Sequence, residues 1–209
     1  MKVLLTGFQP FGGEAANPSW DAVRRVTPRG YELEAVELPC EFGTSAAVLR
    51  DSVVRHAPDV VICVGQAGGR NAVTPERVAI NLDDARIPDN AGRRPIDVPV
   101  VADGPAAYFA TLPVKACTAA LLDAGIPAAV SHTAGTFVCN HVFYSLMHLV
   151  ATEFPGVRGG FVHVPYAPEQ GHDDAPSLEI GTTTRALELI IRTTINRTTD
   201  LRTTAGTLH

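Results

Sequence analysis

The run DVVICVG (residues 59–65) constrains this chain more than any other stretch. Its apolar side chains follow one another without alternation. A strand with one wet face alternates polar and apolar residues, whereas one that is apolar throughout must be covered on both sides. KVLLTG (2–7) and GFVHVP (160–165) have the same character, and ELEAVELP (32–39), RVAINL (77–82) and AAVSHT (128–133) also read as strands. Between them lie helical patterns. PSWDAVRRV follows Asn17, a good N-cap residue, with Pro18 at the first helical position. Segments 44–56, 104–124, 139–154 and 176–194 complete the set. Strands that alternate with helices predict an α/β domain with a mostly parallel central sheet between helical layers.

The chain has 209 residues, enough for one large domain that buries a core without disulfides or metals. We expect a single α/β catalytic domain over residues 1–199 and a polar, frayed tail over 200–209. Net charge is −5, and no basic face marks a nucleic-acid partner. No stretch approaches the roughly 18 consecutive apolar residues of a membrane span. The start, MKVLLTGFQPFGG, is too short in its apolar part for a signal peptide and reads as a first strand, so a cytoplasmic protein is expected. Segment 83–103 carries three prolines and several charges. It reads as a long functional excursion inside the domain.

Two glycine-rich stretches invite a nucleotide reading and fail it. GFQPFGG (7–13) sits where a phosphate-binding turn would be, but Glu14 follows in place of the Lys-Ser/Thr pair. GQAGGR (65–70) lacks the G-x-G-x-x-G spacing. Both read as turns at strand ends, which form the rim of the site in an open α/β sheet. His132, His141, His163 and His172 raise metal chemistry, but there is no HExxH and no carboxylate-rich triad of regular spacing, so no metal is expected.

The four cysteines form no CxxC pair. Cys63 lies inside the most apolar strand, Cys117 in a helix and Cys40 at a strand end, all three packing positions. Cys139 differs, because it follows a strand and a Gly-containing turn and opens the helix CNHVFYSLMHLV. A helix N-terminus has unpaired N–H groups and the positive end of the macrodipole. Both favour thiolate, which predicts a lowered pKa, and the same N–H groups can hold an oxyanion. A nucleophile and a buried helix-cap cysteine both remain open on these grounds. His141 is a poor partner, since residues i and i+2 of a helix point in different directions. His163 is better placed, near the C-terminal end of its strand. A third group should orient the imidazole. Glu76, Asp83, Asp84, Asp89 and Asp97 all compete for that place.

The motifs LLTGFQPFGG, NPSW, ICVGQAGGR, TPERVAINLDDARIPDN, GTFVCNH and FVHVPY, with PEQ after it, together resemble the pyroglutamyl-peptidase I (pyrrolidone-carboxylate peptidase) family of cysteine peptidases. They reach from the first strand to about residue 170, and SLEI with its following helix fits as well. The resemblance implies a three-layer α/β/α sandwich. It also implies a triad of Glu76 (from TPER), Cys139 (from GTFVCNH) and His163 (from FVHVPY), with no metal or organic cofactor. The implied activity is omega-peptidase hydrolysis of N-terminal pyroglutamyl residues through a thioester. Phe8, Phe11, Asn17, Gln66, Arg86, Phe137 and Val138 match positions that line the substrate site. A neutral lactam suits apolar walls with a few hydrogen bonds. Pyroglutamyl peptides are the expected partners, and the family's habit implies a homo-oligomer, tetramer or dimer, with no nucleic acid and no membrane.

Overall fold

The computed structural model describes residues 1–206. In chain order the elements are β1 (Lys2–Phe8), α1 (Pro18–Val23), β2 (Glu32–Leu38), α2 (Thr44–His56), β3 (Val60–Gln66), β4 (Thr74–Pro75), β5 (Val78–Ile80), β6 (Ala107–Phe109), α3 (Val114–Asp123), α4 (Val138–Thr152), β7 (Arg158–Val164), a 3₁₀ turn (Pro168–Gln170) and α5 (Ile180–Asn196). The main sheet has the order β2-β1-β3-β7-β4, in which β4 alone is antiparallel to its neighbour; β5 and β6 form a separate antiparallel pair.

The unbroken apolar runs have the meaning the pattern predicts. Val3, Leu5, Ile62, Val64, Val162 and Val164 pack on one face with residues of α1, α3 and α5. Leu4, Val61, Cys63 and Phe161 pack on the other with residues of α2 and α4. Successive side chains of a strand point to opposite faces, so both faces of β1, β3 and β7 lie under helices. This is the expected three-layer arrangement with a mostly parallel sheet. Helix α1 comes close enough to β1 that a Cβ on Gly7 would sit 2.6 Å from the Trp20 Cα. Asn17 caps α1 by accepting from the Ser19 N–H (3.1 Å), with Pro18 in the first turn.

Three segments differ from expectation. The predicted helix over 104–124 is strand β6 followed by the shorter α3. Pro113 stands at the cap of α3, because a proline inside a helix loses a hydrogen bond and clashes with the preceding turn. The strand expected over 128–133 runs parallel to residues 73–77 but makes only isolated bridges, Val73 to Ala128 and Glu76 to Ser131. Ala129 and Ser131 donate to Val73 and Pro75, but Pro75 has no N–H to return, and the ladder breaks there. The strand expected over 77–82 shrinks to Val78–Ile80, and on its edge away from β6 the Asn140 side chain takes both backbone groups of Ile80 where another strand would pair. The described part of the C-terminal tail packs on the body: Asp200 accepts from the N–H groups of Lys115 and Ala116 at the start of α3 (3.0 and 2.9 Å). Residues 207–209 of the expected tail lie outside the described residues.

Candidate active site

The site collects at the C-terminal ends of β3 and β7, where helix α4 begins. The N-cap of α4 is Phe137, so Cys139 is the second helical residue. Its sulfur lies over Gly65: a Cβ at that position would stand 2.8 Å from Cys139 Sγ and 2.8 Å from the Phe161 ring. Gly65 pairs in register with His163 on β7. Paired residues of adjacent strands project to the same face, with strands roughly 4.8 Å apart. The thiol therefore occupies the missing side-chain place on β3, beside the imidazole on β7.

His163 is buried, and its Nδ1 lies 2.7 Å from Glu76 Oε1. Glu76 follows β4, whose Thr74 and Pro75 pair with His163 and Val162. Burial works against ionising Glu76, but the hydrogen bond and charge of His163, then the Ser131 hydroxyl and the Arg70 guanidinium, hold its carboxyl below the ordinary value. An ionised carboxylate only accepts, so Nδ1 must carry the proton and Nε2 the lone pair. Burial lowers His163 below its ordinary value despite Glu76, and Arg70 adds to that lowering. At neutral pH the imidazole is a neutral base with its tautomer fixed.

Cys139 departs from the expected depressed pKa. Burial pushes the thiol well above the ordinary value, Cys40 and Glu76 add to the rise, and Arg70 opposes it. Burial is the largest influence on the thiol, so the resting pair is a thiol and a neutral imidazole. Burial also pushes Cys40 and Cys63 up to about 12 and Cys117 to about 11, as their packing positions predicted.

The rest of the Cys-Asn-His stretch is structural. The Asn140 side chain accepts from the Ile80 N–H and donates to the carbonyls of Ile80 and Leu82. His141 Nε2 accepts from the Gly43 N–H at 3.0 Å, which places its proton on Nδ1, 2.7 Å from Asp83 Oδ2. His141 thus belongs to a second carboxylate–histidine pair, away from the thiol, as helix geometry required.

An aromatic wall adjoins Cys139. The Phe11 and Phe137 ring centroids are 6.0 Å apart, and Phe42 meets Phe137 edge-on at 5.3 Å. Phe8 is 2% exposed and packs at 6.3 Å from Phe161, inside the core. Val138 is fully enclosed, which leaves its backbone for any contact with a bound molecule. Asn17 is buried, with Oδ1 occupied by Ser19 and Nδ2 donating to the Gln9 carbonyl. Gln66 extends β3 by one residue beyond Gly65, so its side chain points to the opposite face. There its Oε1 accepts from Gln170 Nε2 at 3.0 Å, and the same Nε2 reaches Glu14. Arg86 is exposed and makes no ion pair among the described residues.

Sequence reasoning missed Arg70, Phe42 and the Asp83–His141 pair. Arg70 closes the GQAGGR motif that fails as a phosphate loop, and the only signal it offered was a cation in a rim turn. Among the described residues no group of three His, Cys, Asp or Glu side chains is placed to hold a metal ion. Among the same residues no helix is long and apolar enough to cross a membrane. A cavity of about 500 Å³ between residues 27–31 and α5 contains none of the residues above.

A buried carboxylate, a neutral imidazole and a thiol at a helix start can together carry out acyl transfer. The family model described as pyroglutamyl peptidase matches residues 1–197. The chain is 59% identical over 216 residues to the pyrrolidone-carboxylate peptidase of Streptomyces coelicolor, covering 100% of this chain and 99% of that protein. It is 52% identical over 214 residues to the pyrrolidone-carboxylate peptidase of Bacillus subtilis, again covering 100% and 99%. The crystal structure of the pyroglutamyl peptidase I from Bacillus amyloliquefaciens superposes with a TM-score of 0.95 at 51% identity, covering 97% of this chain and 99% of that one. With its full length matched, its fold shared and a Cys–His–Glu group at the strand ends, the chain belongs to the pyroglutamyl peptidase family.

Proposed function

We propose that residues 1–199 form one catalytic domain that hydrolyses the N-terminal pyroglutamyl residue from peptides, with Cys139 as nucleophile, His163 as general base and acid, and Glu76 as the group that holds the imidazole. The observation that carries the reading is the position of Cys139 Sγ over Gly65, the register partner of His163, while Nδ1 of His163 is committed to Glu76.

In the proposed sequence His163 Nε2 takes the thiol proton as Sγ bonds to the pyroglutamyl carbonyl carbon. N–H groups of the first turn of α4, with Arg86 as the proposed side-chain contribution, take the oxyanion. The carbon–nitrogen bond breaks as His163 returns the proton to the leaving amine. Water, deprotonated by the same nitrogen, then cleaves the thioester and releases pyroglutamate and the thiol. The imidazolium exists only during reaction, when the Glu76 charge stabilises it most. Phe11 and Phe137 supply apolar walls for the lactam, with Phe8, Asn17, Gln66 and Val138 completing the proposed pocket. No cofactor enters this chemistry. We propose a cytoplasmic homo-oligomer, dimer or tetramer, acting on pyroglutamyl peptides.

The test is release of the leaving group from a pyroglutamyl anilide by wild type and Cys139→Ala. Wild-type activity blocked by iodoacetamide, insensitive to EDTA and absent in Cys139→Ala is expected. Full activity in Cys139→Ala would refute the assignment.

A further inference from the structure

Arg70 Nη1 donates to Glu76 Oε1 at 2.6 Å and to Thr74 Oγ1 at 2.6 Å, and Nη2 donates to the Thr133 carbonyl at 2.9 Å. Glu76 Oε1 is the same oxygen that accepts from His163. The second oxygen, Oε2, is buried and makes no hydrogen bond among the described residues, although the Ser131 hydroxyl is near enough to favour the carboxylate. One carboxylate oxygen therefore holds two cation-capable groups. The Glu76 side chain has no exposed surface, whereas the Arg70 side chain is 27% exposed.

A buried carboxylate stays ionised only with a compensating charge. His163 could supply it by taking a proton, but a protonated imidazole cannot accept one from Cys139. A guanidinium is permanently charged and supplies the compensation without proton exchange. We propose that Arg70 is a positioning residue of the catalytic group, the fixed cation that keeps Glu76 ionised while leaving His163 free as a base. This rests on the triad reading above and assigns GQAGGR a role in it. The polar groups around the His163–Glu76 pair are Arg70 from the β3–β4 turn, Thr74 on β4, Ser131 from the segment bridged to Glu76 and the Cys139 thiol on α4. On the β3 side the register partner is Gly65, which has no side chain.

Arg70 acts in the same direction on both titrating groups, lowering His163 and Cys139 alike. Removing its charge should move the whole bell-shaped pH profile of kcat/KM upward, the acid limb through His163 and the alkaline limb through Cys139. A purely structural role would instead lower activity by a pH-independent factor.

The experiment compares wild type, Arg70→Met, Arg70→Gln and Arg70→Lys with the pyroglutamyl anilide from about pH 5 to pH 10, and follows Cys139 alkylation by iodoacetamide over the same range. In Arg70→Met the acid limb should rise by about one pH unit, about a tenfold loss on the acid side of the profile. Arg70→Gln, neutral but able to donate to Glu76, should show the same rise and serves if the Met variant does not fold. Arg70→Lys should restore the wild-type limb while losing part of kcat, since an ammonium cannot reproduce the fork. An unmoved acid limb in the neutral variants, or an equal rise in Arg70→Lys, would overturn the proposal. Activity surviving in Cys139→Ala would instead bring down the triad reading on which it rests.

Discussion

Cys139 sits in the place that a side chain on Gly65 would fill: the sulfur is 2.8 Å from the Cβ position, well inside contact distance. The approach of α4 to the sheet, and so the nearness of thiol and imidazole, depends on one missing methyl group. The Phe161 ring presses on the same point and cannot yield easily inside the core. Gly65→Ala should displace the thiol and lower kcat by about 10²-fold, the typical cost of misplacing a reacting group by about 1 Å. Steady-state assay with the pyroglutamyl anilide, beside a thermal melt to show that the variant folds, checks this. Wild-type kcat would show that the contact does not set the geometry.

Glu76 offers an unusually clean substitution. His163 and Arg70 both donate to Oε1, while Oε2 makes no hydrogen bond among the described residues and the Ser131 hydroxyl favours the carboxylate more weakly. Glu76→Gln can keep its carbonyl oxygen towards His163 and Arg70 with the amide nitrogen in the Oε2 place. The His163 tautomer survives and only the charge is lost. We expect kcat to fall on the order of 10²-fold, about 2.7 kcal/mol of lost imidazolium stabilisation, with KM little changed. The acid limb should move down, since Glu76 raises His163. That direction is opposite to the one expected for the neutral Arg70 variants, so the two pH profiles separate the roles.

The same groups fix how stability should vary with pH. His163 is lowered from 6.5 in the fold, so below about pH 6.5 the unfolded chain takes up a proton that the folded chain refuses, and stability falls with pH. Glu76 is lowered from 4.5, which adds a second loss below about pH 4.5. The four thiols are raised from 9.0, so above about pH 9 the unfolded chain gives up protons that the folded chain keeps, and stability falls again. Chemical denaturation across pH should give a plateau between these limits. In His163→Gln the first acid loss should shrink, and an unchanged acid slope would contradict the assignment.

Asp200 supplies a cap that α3 lacks locally, because Pro113 has no side-chain acceptor for the first-turn N–H groups. Asp200→Ala should cost about 1 kcal/mol, the usual value of a side-chain cap, and leave kcat/KM unchanged. Urea denaturation measures the first and the anilide assay the second. A loss near zero would show that water replaces the carboxylate.

What the sequence disclosed about the site depended on how locally each signal was encoded. The apolar runs of β1, β3 and β7 announced strands buried on both faces. The i, i+2 spacing of Cys139 and His141 excluded that pair without coordinates. Glu76 was one of five eligible carboxylates until the family resemblance selected it, because its reach to His163 arises from antiparallel pairing of β4 with β7 across about ninety residues of chain. Arg70 lies only six residues from Glu76, but nothing marked that contact as part of the site until the long-range pairing placed Glu76 at His163. The Cys139 shift runs opposite to the expected one because a helix terminus is legible in the local sequence, whereas the burial that raises the thiol is a property of the whole fold. Pro75 and Pro113 were legible breakers, and their effects on the 128–133 strand and the 104–124 helix follow from a missing N–H and a blocked turn.

His141 and Asp83 form a carboxylate–histidine pair with the geometry of Glu76 and His163 but a different task. Their side chains are 9% and 7% exposed, the Nδ1–Oδ2 distance is 2.7 Å, and Nε2 is taken by the Gly43 N–H. The pair ties α4 to the turn before α2 and to the start of the 83–103 excursion. Phe42 packs edge-on against both His141 and Phe137, so the tie also sets the aromatic wall. His141→Phe would leave the Asp83 carboxylate buried without its donor and free the Gly43 N–H, a loss of about 3 kcal/mol. Where the variant stays folded, KM should rise several-fold as the wall loosens, with kcat falling far less than in Glu76→Gln. Asp83→Asn, which keeps an acceptor for Nδ1, should cost less on both counts. Parallel melts and steady-state kinetics decide it. A kcat collapse in His141→Phe at wild-type KM would place His141 in the chemistry and reverse the assignment of the two pairs.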